Sequence, residues 1–302
     1  MQSSLVNLSN ELAKLVEEFQ SSIVAVHARS HYPSSGVVWR PGVIVTADHT
    51  VRQEEDIQVT LASDGAATAT LAGRDPGTDI ALLKVEGLAS PVARPAESES
   101  PKAGELALVL GRSPDSGPNA SLGVISALSG SWRTWRGGRL DQYIRLDATL
   151  FPNSSGGAVV DCRGQLLGIA TSGLSRIAGL AIPASSVNRV VDALLAKGHV
   201  PRGYLGVGVQ PIDIPSALRT RLGLSNQSGV MVVSTEPGGP ADQGGILLGD
   251  ILVSLGPALL EGIEDVQSFS DSAVMGKPVK AKLIRAGALH EVSITVGDWP
   301  GR

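Results

Sequence analysis

Ser155 stands before two glycines in the run Pro152-Asn153-Ser154-Ser155-Gly156-Gly157, and His49 and Asp79 precede it along the chain. A serine hydroxyl is a weak nucleophile until a base takes its proton and fixed dipoles hold the oxyanion that forms. Gly156 and Gly157 have no Cβ, so a turn at this point can aim backbone N–H groups at a carbonyl oxygen. His49 lies where the apolar run Val43-Ile44-Val45 passes into the polar turn Thr46-Ala47-Asp48-His49-Thr50. Asp79 directly precedes Ile80-Ala81-Leu82-Leu83, close enough to a buried strand for its carboxylate to be shielded. Taken singly, these are a glycine loop, a surface histidine and a turn aspartate. Their joint order supplies a base, an orienting acid and a nucleophile, each at the edge of a strand, and points to acyl transfer.

The elements that must carry these groups are mostly strands. The chain has 302 residues, 42% hydrophobic and 18% charged, with 36 Gly and 18 Pro. That is ample apolar surface for cores, and the length suggests two domains. From Ile23 to Ala181, short Val/Ile/Leu runs separated by Gly, Pro, Asp and Ser predict antiparallel strands in a sandwich or barrel. Candidates are 23–27, 36–39, 42–46, 57–61, 69–73, 80–85, 106–110, 123–128, 143–146, 158–161 and 166–170. Val187, Val190, Val191, Leu194 and Leu195 recur at helical spacing within Ser185–Lys197, and Gly198 supplies a C-terminal stop. From about Gly203 a smaller mixed α/β module follows, with helices expected at Pro240–Gly244 and Ile263–Ser270. At the N-terminus, Leu5, Leu8, Leu12, Leu15, Val16 and Phe19 predict an amphipathic helix that docks on the body or on a partner subunit.

Several function classes are disfavoured. A net charge of −4 without a long basic run gives no footprint for nucleic acid. The single cysteine, Cys162, excludes an internal disulfide and is expected as a small core residue. No Cys/His cluster has zinc spacing, and neither a metal nor a cofactor is expected. No stretch reaches the ~20 apolar residues of a membrane span, and no basic, apolar leader is legible at the start. The compartment stays open, being cytoplasmic if Met1 is the native start.

Residues 20–185 resemble the protease domain of the HtrA/Deg family of trypsin-like serine proteases. The resemblance rests on Ser35-Gly36-Val37-Val38, Val45-Thr46-Ala47-Asp48-His49, Thr78-Asp79-Ile80-Ala81-Leu82-Leu83-Lys84-Val85 and Gly123-Val124-Ile125-Ser126. It continues through Asp147-Ala148-Thr149, Ser155-Gly156-Gly157, Gly168-Ile169 and Gly179-Leu180-Ala181-Ile182-Pro183. Arg202-Gly203-Tyr204-Leu205-Gly206-Val207, Glu236-Pro237-Gly238-Gly239-Pro240-Ala241 and Leu248-Gly249-Asp250-Ile251-Leu252 resemble the family's C-terminal PDZ domain. The implied fold is mainly β: a chymotrypsin-like double β-barrel followed by a small α/β PDZ domain. The implied bounds are a helical segment at 1–20, the protease at 21–198 and the PDZ domain at 199–302.

By that resemblance Ser155 is the nucleophile, His49 the base and Asp79 its orienter, with the N–H groups of Ser155 and Asn153 forming the oxyanion hole. Thr149 stands where a trypsin-type enzyme carries an acid, so cleavage is expected after small or medium aliphatic residues, with Thr149, Leu150 and Ile169 near the S1 pocket. Tyr204, Leu205, Gly206 and Val207 would bind a peptide's C-terminal carboxylate while the peptide adds to the sheet edge. The implied substrates are unfolded or misfolded proteins, the implied assembly is a homotrimer, and the implied compartment is the periplasm if a leader has been removed. A catalytically latent PDZ scaffold or holdase, and a dedicated regulatory protease with one partner, remain as alternatives. Three positions depart from the family pattern. Asn153 replaces a glycine that often needs positive φ; Asn tolerates that conformation, so the oxyanion loop either forms or rests collapsed. Asp48 places an extra carboxylate beside His49, which would favour the imidazolium and move the active pH range upward. Gly244 replaces an alanine in a short helix. The Trp/Arg segment 129–142 corresponds to a regulatory loop, expected either at an inter-domain or inter-subunit contact or as a solvated loop.

Overall fold

The computed structural model describes residues 4–30, 32–63, 65–93, 101–270 and 275–298. The chain divides into two compact units, Met1–Val200 and Pro201–Arg302. In the first, strands β1 (Ile23–His27), β2 (Ser34–Arg40), β3 (Val43–Ala47), β4 (Ile57–Thr60), β5 (Ala66–Asp75) and β6 (Ile80–Lys84) close into a barrel in the order β1-β2-β3-β6-β5-β4. Side chains alternate across a strand. Val24, Val26, Val38, Ile44, Ala81 and Leu83 accordingly fill one core cluster, while Ile23, Val37, Val45, Ile80 and Leu82 face another. In β1, β2, β3 and β6 both faces are buried, which is why these four strands read as apolar runs.

A second barrel is built from β7 (Leu106–Ser113) and β8 (Gly117–Ser129), the hairpin β9 (Trp132–Arg133) and β10 (Arg139–Leu140) branching off after them. It is completed by β11 (Tyr143–Asp147), β12 (Ala158–Asp161), β13 (Leu166–Thr171) and β14 (Gly179–Pro183). Its closed order is β11-β14-β13-β12-β7-β8. Helix α1 (Ser4–Phe19) lays Leu12, Leu15, Val16 and Phe19 on the core shared by the barrels and leaves Leu5 and Leu8 exposed. Helix α2 (Ala184–Lys197) buries Val187, Val190, Val191 and Leu194 in the same core. It ends at Gly198, whose φ of 76° is left-handed and whose N–H donates to Leu194 O at 2.9 Å.

The second unit contains β15 (Gly203–Tyr204), β16 (Val207–Asp213), α3 (Ser216–Leu222), β17 (Ser228–Thr235), α4 (Pro240–Gln243) and β18 (Ile251–Leu255). It continues with β19 (Ala258–Leu259), α5 (Ile263–Ser270), β20 (Pro278–Arg285), β21 (Ala288–Thr295) and β22 (Gly297–Asp298). The sheet runs β16-β17-β18-β20-β21, which leaves one side of β16 as a free edge. Helix α3 is too short to show a sequence period. It forms between Pro215 and a left-handed Gly223 because Leu218 and Leu222 cover Ile214, Val253 and Ile284.

Cys162 is exposed, against the expectation of a core cysteine. It lies in the turn joining β12 to β13, where Asp161 Oδ1 accepts the N–H groups of Arg163 and Gln165. An Asx-type turn of this kind takes the following residue to the surface. No helix among the described residues is long and apolar enough to cross a membrane.

Leu194 is 2% exposed, and α2 lies so close to β5 that a Cβ on Gly73 would come within 3.3 Å of the Leu194 side chain. Leu194→Ala should cost ~2–5 kcal/mol in denaturant unfolding of the first unit. The exposed neighbour Leu195 serves as control: an equal loss from Leu195→Ala would contradict this packing.

Candidate functional site

The seam between the two barrels brings His49, Asp79 and Ser155 together. His49 follows β3 in a single 3-10 turn (Asp48–Thr50), Asp79 immediately precedes β6, and Ser155 sits in the turns before β12. His49 Nδ1 lies 2.8 Å from Asp79 Oδ2 and 3.1 Å from Oδ1, and the His49 backbone N–H donates to Oδ1 at 2.8 Å. Asp79 is 1% exposed and holds φ = 60°, a left-handed conformation that Asp tolerates better than most residues. Its position is fixed from both sides. Asp48 N donates to Asp79 O at 3.1 Å, and Thr171 Oγ1, from the end of β13, donates to Asp79 Oδ2. Behind it, Thr134 Oγ1 in the β9–β10 hairpin donates to Gly77 O at 2.6 Å. Gly138 in that hairpin approaches so closely that a Cβ would lie 2.2 Å from the Gly77 carbonyl. The Trp/Arg segment thus buttresses the turn that carries Asp79.

Three consecutive residues, which sequence reasoning missed, each meet one of the three groups. Thr171 bonds Asp79, and Gly173 packs on His49, where a Cβ would sit 2.6 Å from Nδ1. Ser172 Oγ lies 3.1 Å from Ser155 Oγ, to which Ser172 N also donates at 3.4 Å. Among the described residues no hydrogen bond joins Ser155 Oγ to His49. The only signal available in the sequence was a polar Thr-Ser-Gly immediately after the apolar run ending at Ala170.

The two glycines after Ser155 serve the seam as well as the turn. Gly156 has φ = 86°, and a Cβ there would lie 2.1 Å from Ser35 O; at Gly157 it would lie 2.1 Å from Leu110 O. Their own N–H groups are used internally, by Ala170 O and Ser154 O. Fully buried Ser35 ties the turn to the first barrel: its N–H donates to Ser155 O at 3.1 Å and its hydroxyl to Asn153 O at 2.6 Å. Arg29 Nη2 holds the Pro152 carbonyl at 2.7 Å.

Among the described residues neither Asn153 N nor Ser155 N donates within the protein. Asn153 does not adopt the positive φ that the glycine it replaces often needs; among the described residues the non-glycine residues with positive φ are Asp56, Asp79 and Ala286. The Ser154 N–H to Phe151 O bond at 2.8 Å closes a turn around Pro152 and Asn153. A type II turn needs positive φ at its second central residue. The Pro152–Asn153 peptide is therefore not in the type II orientation.

Thr149 is exposed, and half-buried Leu150 leans over Gly179, where a Cβ would lie 2.4 Å from Leu150 Cδ1. Ile169 is not brought to them. It is fully buried in the core under α2, and the strand alternation places Ala170 in the cluster with Leu150 instead. In the second unit, the carbonyls of Leu205 and Gly206 turn inward to accept Ala241 N and Glu236 N, both at 2.8 Å. Among the described residues the Leu205 and Gly206 N–H groups have no partner, Gly206 is left-handed at φ = 71°, and Tyr204 and Val207 flank them. This loop opens onto the free edge of β16. No cluster of metal-ligating side chains occurs among the described residues.

Asp48 does not turn to the imidazole as its adjacency suggested. It is 3% exposed, and its Oδ1 accepts Arg74 Nε at 2.6 Å. Burial raises the Asp48 pKa above the ordinary carboxylate value, although the Arg74 hydrogen bond and charge pull it down. The folded state therefore holds this proton more tightly than the unfolded chain, and stability is lost as pH rises from the ordinary carboxylate range through the raised value. Stability measured against pH for wild type and Asp48→Asn should show the wild type losing ground to the variant across that window. A wild type that gains on the variant as pH rises would contradict this.

Comparison with known proteins places these features in a family. Residues 34–169 match the trypsin-like peptidase domain and residues 203–296 the PDZ domain. A probable periplasmic serine endoprotease, DegP-like, from Ectopseudomonas mendocina is 29% identical over 272 residues, 88% of this chain and 56% of the relative. Its counterpart in Chlamydia trachomatis serovar D is 30% identical over 276 residues, 87% of this chain and 53% of the relative. The chain thus spans about half the length of these curated relatives. Among solved structures, the HtrA-type protease AlgW with a decapeptide superposes with a TM-score of 0.77 at 26% identity, covering 96% of this chain and 99% of the other. The serine endoprotease from Yersinia pestis gives 0.77 at 27% identity, with 99% of each chain covered. Two six-stranded barrels with His49, Asp79 and Ser155 at their seam, followed by a PDZ module, agree with these matches: the chain belongs to the HtrA/Deg family of trypsin-like serine proteases.

Proposed function

We propose that the chain is a serine endopeptidase acting on unfolded or misfolded protein, with a PDZ domain that binds peptide C-termini. The observation that carries this is the His49 Nδ1–Asp79 Oδ2 bond at 2.8 Å, linked to Ser155 through Thr171, Ser172 and Gly173, which between them meet all three groups. Asp79 fixes the imidazole so that Nε2 faces away from it as the proton acceptor. Ser155 Oγ attacks the peptide carbonyl as His49 takes its proton, and His49 then gives that proton to the leaving amine. The N–H groups of Ser155 and Asn153 would hold the oxyanion, once the Pro152–Asn153 peptide turns over. Thr149 and Leu150 would shape the S1 pocket. With no acid there to pair a Lys or Arg side chain, small or medium aliphatic residues are preferred. In the PDZ domain, the free N–H groups of Leu205 and Gly206, between Tyr204 and Val207, would take a terminal carboxylate while the peptide extends the sheet along β16. The family resemblance carries a homotrimer as the assembly.

A latent form acting as scaffold or holdase keeps a place because of two observations: Ser155 Oγ rests on Ser172, and Asn153 lacks positive φ. A fluorophosphonate probe separates the readings. Wild type should be labelled, Ser155→Ala should not, and Asp79→Asn should lower kcat by about 10⁴-fold on a peptide series. The fastest cleavage should follow Val, Ala or another aliphatic residue, and casein should be degraded if the role is general quality control. A folded wild type that stays unlabelled with and without C-terminal peptides would favour the scaffold, and preference for basic P1 residues would contradict the S1 assignment.

A further inference from the structure

The Ser155 hydroxyl has a hydrogen-bonding partner that the peptidase chemistry does not use. Nucleophilic attack needs its O–H to donate to His49, yet Ser155 Oγ lies 3.1 Å from Ser172 Oγ and receives Ser172 N at 3.4 Å. Ser172 is exposed, so water could satisfy its hydroxyl without Ser155. Its position is not free, however. Thr171 is fully buried and bonded to Asp79, and Gly173 N donates to Thr171 Oγ1 at 2.9 Å while its Cα lies against His49. The backbone of residue 172 is thereby clamped between the groups that fix Asp79 and His49, and the Ser172 hydroxyl meets that of Ser155.

We propose that Ser172 is a positioning residue: at rest its hydroxyl holds Ser155 Oγ away from His49, and activation includes transfer of that hydrogen bond from Ser172 to the imidazole. This rests on the reading of Ser155 as the nucleophile. The two hydroxyls form an ordinary neutral hydrogen bond, whose net value is modest because water competes for both ends. Ser172 accordingly tunes the resting fraction of aligned Ser155 and does not abolish activity. A threonine retains the hydroxyl and the bond; an alanine removes them without filling the space.

The test is the second-order rate of fluorophosphonate labelling for wild type, Ser172→Ala and Ser172→Thr, with Ser155→Ala as blank, together with crystal structures of wild type and Ser172→Ala. Ser172→Ala should label roughly twofold to tenfold faster and raise kcat on a peptide with KM unchanged. Ser172→Thr should stay at the wild-type rate, and in Ser172→Ala crystals Ser155 Oγ should move within hydrogen-bond reach of His49 Nε2. Labelling of Ser172→Ala at or below the wild-type rate, with Ser155 Oγ unmoved, would overturn the proposal while leaving the peptidase reading intact. If no variant is labelled, the peptidase reading falls, and the crystal position of Ser155 alone decides whether Ser172 holds it.

Discussion

A carboxylate removed from water must be surrounded by donors, and in this fold the donors to Asp79 come from both barrels. The first barrel supplies the backbone and ring N–H of His49, and the second supplies the hydroxyl of Thr171. Leaving such a group buried and short of partners is far more costly than one ordinary hydrogen bond. The need to satisfy Asp79 therefore sets how closely the end of β13 approaches the turn after β3. Much of the local geometry follows from that approach. Asp79 takes an unfavourable φ, Gly173 is confined to a residue without a side chain, and Gly138 packs against the turn from behind.

Close approach also explains the chemistry of the Ser155 turn. Barrel strands bring main chain from β2 and β7 to within contact of Gly156 and Gly157, so both positions exclude a Cβ on steric grounds. Ser35 then acts as a polar rivet across the seam, bonding the Ser155 carbonyl, the Asn153 carbonyl and the Arg112 N–H. In the second unit, the inward carbonyls of Leu205 and Gly206 leave two N–H groups without a partner among the described residues, beside the edge strand β16.

The barrels were legible because strands such as β1, β3, β6, β12 and β13 bury both faces and advertise themselves as apolar runs. Likewise, His49, Asp79 and Ser155 stood out through their order and their strand-edge positions. Other features depend on contacts distant in sequence. Thr171, Ser172 and Gly173 acquire meaning only when β13 meets the first barrel. The face of Ile169 follows from the barrel register, which the sequence alone leaves open by one residue. Asp48 finds Arg74, 26 positions away, and Cys162 goes to a hairpin tip because Asp161 caps the turn. Helix α3 has fewer than two turns, too short for a period to emerge.

The most direct test of the cross-barrel account is the proton resonance of His49 Nδ1–H, followed by NMR in wild type, Asp79→Asn and Thr171→Val. If Asp79 is organised from both barrels, the wild type shows a hydrogen-bonded downfield proton, Asp79→Asn loses it, and Thr171→Val shifts it and speeds its exchange with water. A Thr171→Val spectrum that overlays on wild type would show that the first barrel alone holds the His49–Asp79 pair, contradicting the account.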